Sequence, residues 1–210
     1  MMDFEPWRKY PDLAQDRLSI LATIIRDVRH GVVMLHEPAA GDGPWSLGCR
    51  GYERTCAAIK KAALTYSWLR ILPEISPLGF SFAIGNVPFR FYRGNPEELP
   101  YHYQFKSYGE IHHLQYCLAL DNGFHEIDGV LRLAVETDGS SEVAAVTLVE
   151  VDSGGNPRDS YQIPFDEGGS NVVPIQTPPV DLPPVVAEPL KKEDEKQKEK
   201  RKGHGFGSVS

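Results

Sequence analysis

Apolar positions recur along this chain with two different periods, and the switches between them mark the elements. Leu13, Leu18, Leu21, Ile24, Ile25 and Val28 fall three or four residues apart, with Gln15, Asp16, Arg26 and Asp27 between them. That spacing places one apolar stripe on a helix. Asp12 stands where an N-cap belongs, and Gly31 after Arg29-His30 supplies a stop. Val32–Leu35 reads equally as a short strand or as more of the helix. Pro38–Gly48 carries the glycine, proline and aspartate of a loop. A second helix is predicted from about Tyr52 to Leu72, with Tyr52, Cys56, Ile59, Ala63, Tyr66 and Trp68-Leu69 on its stripe. Pro73 and Pro77 forbid its continuation.

The period then changes from near four to two. Phe80, Phe82 and Ile84 alternate with smaller residues, Gly85-Asn86 forms a two-residue turn, and Val87, Phe89 and Phe91 alternate again. This predicts a hairpin. Asn95–Pro100 interrupts the chain. Ser107 with Glu110 three residues later matches a capping box, opening a helix with Ile111, Leu114 and Leu118 on one side. Asp121-Asn122-Gly123 ends it. A three-strand meander follows. Leu131, Leu133 and Val135 face one way, with Arg132 and Glu136 opposite; Val143–Val151 is apolar on both faces, as a central strand is. Tyr161, Ile163 and Phe165 alternate, and Pro164 marks an edge strand. The predicted class is α+β, in the order ααββαβββ, with a mostly antiparallel sheet of about five strands and helices packed on it.

Beyond Asp166 the pattern stops. Val172–Pro189 is proline-rich and Lys191–Lys202 almost wholly charged, so neither stretch buries enough to offset its ordering entropy. The expected organisation is one α+β domain over residues 1–166 and a disordered tail over 167–210. Charge divides in the same place: 15 Lys+Arg against 23 Asp+Glu through residue 170, and 7 against 6 afterwards. An acidic domain argues against broad duplex binding, which needs a cationic surface. Three cysteines at irregular spacing (Cys49, Cys56, Cys117) are no disulfide framework, and the first ten residues have no apolar signal core. No membrane span is expected and a reducing cytoplasm is the default reading.

Three groups bear on chemistry. Cys49, in Gly48-Cys49-Arg50-Gly51 just ahead of the predicted second helix, has the position of a thiol activated by a helix dipole and nearby arginines. His113 and Cys117, one helical turn apart, with His125 and then Asp128 downstream, have ligand-type side chains. His36-Glu37 with Asp42, and Glu126 with Asp128, offer acid–base pairs. None reaches a recognised catalytic or metal pattern, so no catalytic residue, metal or cofactor is assigned. Phe89-Arg90-Phe91-Tyr92-Arg93 interleaves basic and aromatic residues, so that Arg90 and Tyr92 share the face turned from Phe89 and Phe91. With Arg93, Lys60 and Lys61 they are the candidate binding residues, for a partner protein or for single-stranded nucleic acid. The expected function is that of a non-enzymatic regulatory or adaptor protein binding another protein. A small cysteine- or metal-dependent enzyme and a single-strand binder are the alternatives.

Overall fold

Two long helices and one sheet account for most of the apolar pattern. The computed structural model describes residues 4–73, 75–76, 79–120 and 129–165. The tail expected over 167–210 and the candidates His125, Glu126 and Asp128 lie outside the described residues. A one-turn helix α1 (Pro6–Lys9) precedes α2 (Gln15–Val33) and α3 (Pro44–Ala63). Strands β1 (Leu69–Ile71), β2 (Phe82–Ile84) and β3 (Val87–Arg93) lead through a 3-10 turn (Tyr101–Tyr103) into α4 (Tyr108–Ala119). The chain then forms β4 (Val130–Thr137), β5 (Val143–Val151) and β6 (Pro157–Gln162). Among the described residues no helix is long and apolar enough to cross a membrane.

The six strands lie side by side in chain order, with β1 and β6 at the edges. All neighbours are antiparallel except β3 and β4, which run parallel, with Phe89 opposite Leu131 and Arg90 opposite Arg132. A parallel pair needs a long crossover. Here the crossover contains the 3-10 turn and α4.

The hairpin, the first two strands of the meander and the capping box lie where the sequence places them; the last strand comes earlier, at Pro157–Gln162, so that Ile163, Pro164 and Phe165 follow it. Ser107 Oγ accepts from the Glu110 amide at 3.4 Å, and Glu110 Oε2 accepts from the Ser107 amide at 2.7 Å. Gly85 has φ +58°, as the first position of a tight hairpin turn requires.

The second helix needs correction. It begins at Pro44 rather than near Tyr52, and it ends at Ala63 rather than Leu72. Pro44 occupies the first helical position, where its missing N–H costs nothing, and Ser46 Oγ accepts from the Gly43 amide at 3.1 Å. Its buried stripe runs Leu47, Gly51, Thr55-Cys56, Ile59. Of the residues predicted as its last turns, Leu69–Ile71 instead form β1, a sixth strand, in which Leu69 is buried and Arg70 exposed. Nor does Asp12 cap α2. Its Oδ2 accepts from the Asn86 amide at 2.9 Å, tying the start of the domain to the β2–β3 turn.

The sheet separates two unlike layers. On one face Phe82, Phe89, Leu131, Leu133 and Leu148 pack with Leu18, Leu21 and Ile25 of α2 and Ile59 of α3 in one apolar cluster. On the other, Tyr92, Val130, Ala134, Val149 and Val151 meet Leu99 and Tyr103 from the crossover. That second layer also holds charged side chains.

Candidate functional site

The crossover is fastened to the sheet by two arginines on adjacent strands. Arg132 lies on the face opposite Leu131 and Leu133, as alternation places it, and is fully buried there. Its Nε donates to Tyr103 O at 2.7 Å, its Nη2 to Phe105 O at 2.8 Å, and its Nη1 to Leu131 O at 2.8 Å and Glu110 Oε1 at 2.5 Å. Burial pulls the Arg132 pKa down, and the facing Glu110 carboxylate works against that. Glu110 thus serves two ends: it closes the capping box of α4 and neutralises a guanidinium inside the domain.

Arg90 and Tyr92 do share the face opposite Phe89 and Phe91, but the crossover covers it. Arg90 is 6% exposed and Tyr92 3%. Arg90 Nη1 donates to His102 O at 2.9 Å, and its guanidinium lies 4.4 Å from the centroid of the Tyr103 ring. Tyr92 donates its hydroxyl proton to Asn95 O at 3.0 Å, and burial pushes its pKa up to about 12. Arg93, one residue on, is exposed. Lys60 and Lys61 are exposed near the end of α3, on the other side of the sheet, with Lys60 Nζ 5.3 Å from the Phe80 ring. The five residues therefore do not form one surface.

Cys49 is exposed within the second turn of α3, not ahead of the helix. The dipole effect is confined to a terminal turn, so the predicted activation loses its basis. His30, upstream of it in the sequence, pairs through Nδ1 with Glu142 Oε1 at 3.0 Å. Asp42 is occupied by Arg50, the Glu37 amide and Ser46, while His36 Nδ1 stays 3.8 Å from it. The Glu37 amide hydrogen bond, with help from Arg50, holds the Asp42 carboxyl below the usual carboxylate range. His113 and Cys117 do come together, with Nε2 to Sγ 3.6 Å, and Cys117 Sγ lies 3.7 Å from Asn86 Oδ1. Burial lowers the His113 pKa and raises that of Cys117, so both favour neutral forms. Among the described residues no group of three or more His, Cys, Asp or Glu is placed to hold a metal ion.

The outer face of α4 has a different character. Sequence spacing puts Ile111, Leu114 and Leu118 on one side, yet only Leu114 is buried; Ile111 is 44% exposed and Leu118 56%. The helix instead buries Gly109-Glu110, His113-Leu114 and Cys117. Tyr108, Ile111, Gln115 and Leu118 then form an outward ridge at alternating three- and four-residue spacing, and Tyr116 and Leu120 are exposed nearby. Tyr101 and Phe105 in the crossover are exposed too, in edge contact at 5.2 Å between ring centroids. The one carboxylate or ammonium side chain in α4 is Glu110, and it is buried. An outward helix face normally carries charge. This one has no carboxylate, ammonium or guanidinium, only the imidazole of His112 beside Tyr108. Contiguous exposed apolar patches of this kind mark interaction surfaces more often than single exposed apolar residues do.

No family model, curated protein or solved structure matches the chain.

Proposed function

We propose that this domain is a non-enzymatic binding module that recognises another protein through the outer face of α4. One observation carries the reading: Tyr108, Ile111 and Leu118 stand in solvent along a helix face free of carboxylates and ammonium groups. Apolar area of this kind gains free energy when a partner removes it from water, and tyrosines supply anchors with few rotors to freeze. The matching partner is an apolar helix laid along α4, whose side chains fit between residues spaced as i, i+3, i+7 and i+10. The two buried arginines support this role, because they fix the crossover and the start of α4 against the sheet before any partner arrives.

The test compares the full-length chain with an Ile111→Lys/Leu118→Glu variant, both positions being exposed, so that the circular dichroism and melting of the fold are retained. Affinity capture from the source cell should recover a partner with the unaltered chain, and a photo-crosslinker placed at Gln115 should join to it. The charged variant should lose that partner. Capture that survives both charges, or a chain that remains a partnerless monomer, overturns the reading.

A further inference from the structure

Where the parallel strands β3 and β4 end, the domain opens into a cleft of about 350 Å³. Its walls come from α2, α3, the two strand ends and the 3-10 turn. This volume lies toward the small end of ligand clefts. Much of the wall is aromatic. Tyr52 and Phe91 lie 5.4 Å apart between ring centroids, and Tyr103 stands across from them on the turn.

Two guanidiniums belong to the same cleft, Arg29 from α2 and Arg93 from the end of β3. Arg29 is 6% exposed. Its Nε donates to Ser141 O at 2.7 Å and its Nη1 reaches Leu47 O at 3.4 Å, but Nη2 is buried with no partner among the described residues. Gly51 makes room for this side chain: a Cβ there would stand 2.9 Å from Arg29 Nη1. The nearest carboxylate influence on Arg29 is Glu142, which already pairs with His30, while Arg93 repels it. A buried cationic donor lacking an acceptor is costly unless something supplies one.

We propose that this cleft binds a small organic anion, with its carboxylate or phosphate head on Arg29 and Arg93 and a flat aromatic body against Tyr52, Phe91 and Tyr103. Arg29 and Arg93 both line the cleft, and a planar guanidinium suits either oxyanion. The cleft volume restricts the body to a small ring system.

The experiment is calorimetric titration of the full-length chain with benzoate, phenyl phosphate and adenosine monophosphate, against benzyl alcohol and inorganic phosphate. At least one aromatic anion should bind with one-to-one stoichiometry, and both controls should bind at least about tenfold more weakly, a difference of about 1.4 kcal/mol. Arg29 is buried, so its replacement endangers the fold, and two other variants carry the test. Gly48 lines the cleft and a Cβ there meets nothing within 4 Å. Gly48→Leu therefore leaves the helix intact, fills the cleft and should weaken binding at least about tenfold. Arg93→Gln, at an exposed position, should weaken it severalfold. Ile111→Lys should leave it unchanged, which separates this site from the α4 face. Failure of all three aromatic anions to saturate overturns the proposal. So does equal binding of either control, or binding undiminished in Gly48→Leu and Arg93→Gln.

Discussion

The two faces of the sheet reach the same degree of burial by different means. Beneath α2 and α3 the strands contribute mostly hydrocarbon and aromatic rings, and residues such as Phe82, Phe89 and Leu133 have no exposed surface. Beneath the crossover the same strands contribute Arg90 and Arg132, side by side in register, and among the described residues only the Glu110 carboxylate is hydrogen-bonded to either. Apolar packing is non-directional, so it holds helices down without fixing each backbone atom. The arginines instead bind the carbonyls of His102, Tyr103 and Phe105 one by one. A segment without regular structure has carbonyls to satisfy, and the long donors of arginine reach them from the sheet. The polar layer thus holds an irregular segment in one conformation; the apolar layer supplies most of the driving force.

The largest expected effect breaks the polar layer. Glu110→Ala leaves Arg132 buried with carbonyl acceptors alone, and removing one partner of a buried pair costs about 3–5 kcal/mol. Denaturant midpoints measure the loss. Tryptic cleavage after Lys106, inside the crossover, should accelerate with it. A double variant, Glu110→Leu/Arg132→Met, removes the charge problem but strips donors from Tyr103 O and Phe105 O. It should remain below the wild-type stability by about 1–3 kcal/mol, because the buried Tyr103 carbonyl and the partly buried Phe105 carbonyl lose their donors. Recovery to wild-type stability would show that the arginine does not fasten the crossover.

Leu133→Ala tests the other face. Leu133 is completely buried on the apolar side of β4, and its truncation should cost about 3 kcal/mol through lost transfer free energy and a residual cavity. Cleavage after Lys106 should track the global loss alone, with no added local opening. If both variants open the crossover equally at matched stability, the two layers are one cooperative unit and the contrast between them disappears.

How much of this was legible in the sequence follows the same divide. The hairpin and the capping box are local, written in alternation and turn residues within a dozen positions, and they stand where that pattern puts them, as do β4 and β5; the last strand is Pro157–Gln162, beginning ahead of the Tyr161–Phe165 alternation. The start of α3 was hidden because two glycines, Gly48 and Gly51, interrupt its stripe, and one of them is there to admit Arg29. Its end was hidden because Tyr66, Trp68 and Leu69 fit a helical stripe as well as a strand start. The parallel pairing of β3 with β4 is a long-range choice that no local period encodes. Alternation places Arg132 opposite Leu131 and Leu133, but it says nothing of what covers that face, and the partners of Arg132 lie in the crossover. The α4 face was missed for the converse reason: spacing grouped Ile111, Leu114 and Leu118, and only tertiary contacts decide which side is covered. The Arg29 cleft joins α2, α3 and the strand ends, and no motif announces it.

Smaller effects probe the joints of the apolar layer. Gly85→Ala puts a Cβ at φ +58° and 2.2 Å from Asp12 Cγ. The left-handed conformation costs about 1–2 kcal/mol for a residue with a side chain. Displacing Asp12 from the Asn86 amide adds about 1 kcal/mol. The combined loss should be about 2–3 kcal/mol, and in an Asp12→Ala background the same glycine change should cost less, because the two residues meet. Equal costs in both backgrounds would mean that the carboxylate swings aside freely and does not tie the N-terminal segment to the turn.

The smallest change returns to Glu110. Ser107→Ala removes one acceptor from the start of α4, and the bond it makes to the Glu110 amide is long at 3.4 Å. An N-cap serine is typically worth about 1 kcal/mol, so a long bond should cost about 0.5 kcal/mol. The other half of the box, Ser107 N–H to Glu110 Oε2, uses the backbone and survives the substitution. If Glu110 is positioned mainly by Arg132, removing the hydroxyl leaves the carboxylate in place and the loss stays that small. A loss several times larger, with faster cleavage after Lys106, would show that the cap aims the carboxylate at Arg132, so that a local feature of α4 controls the whole polar layer.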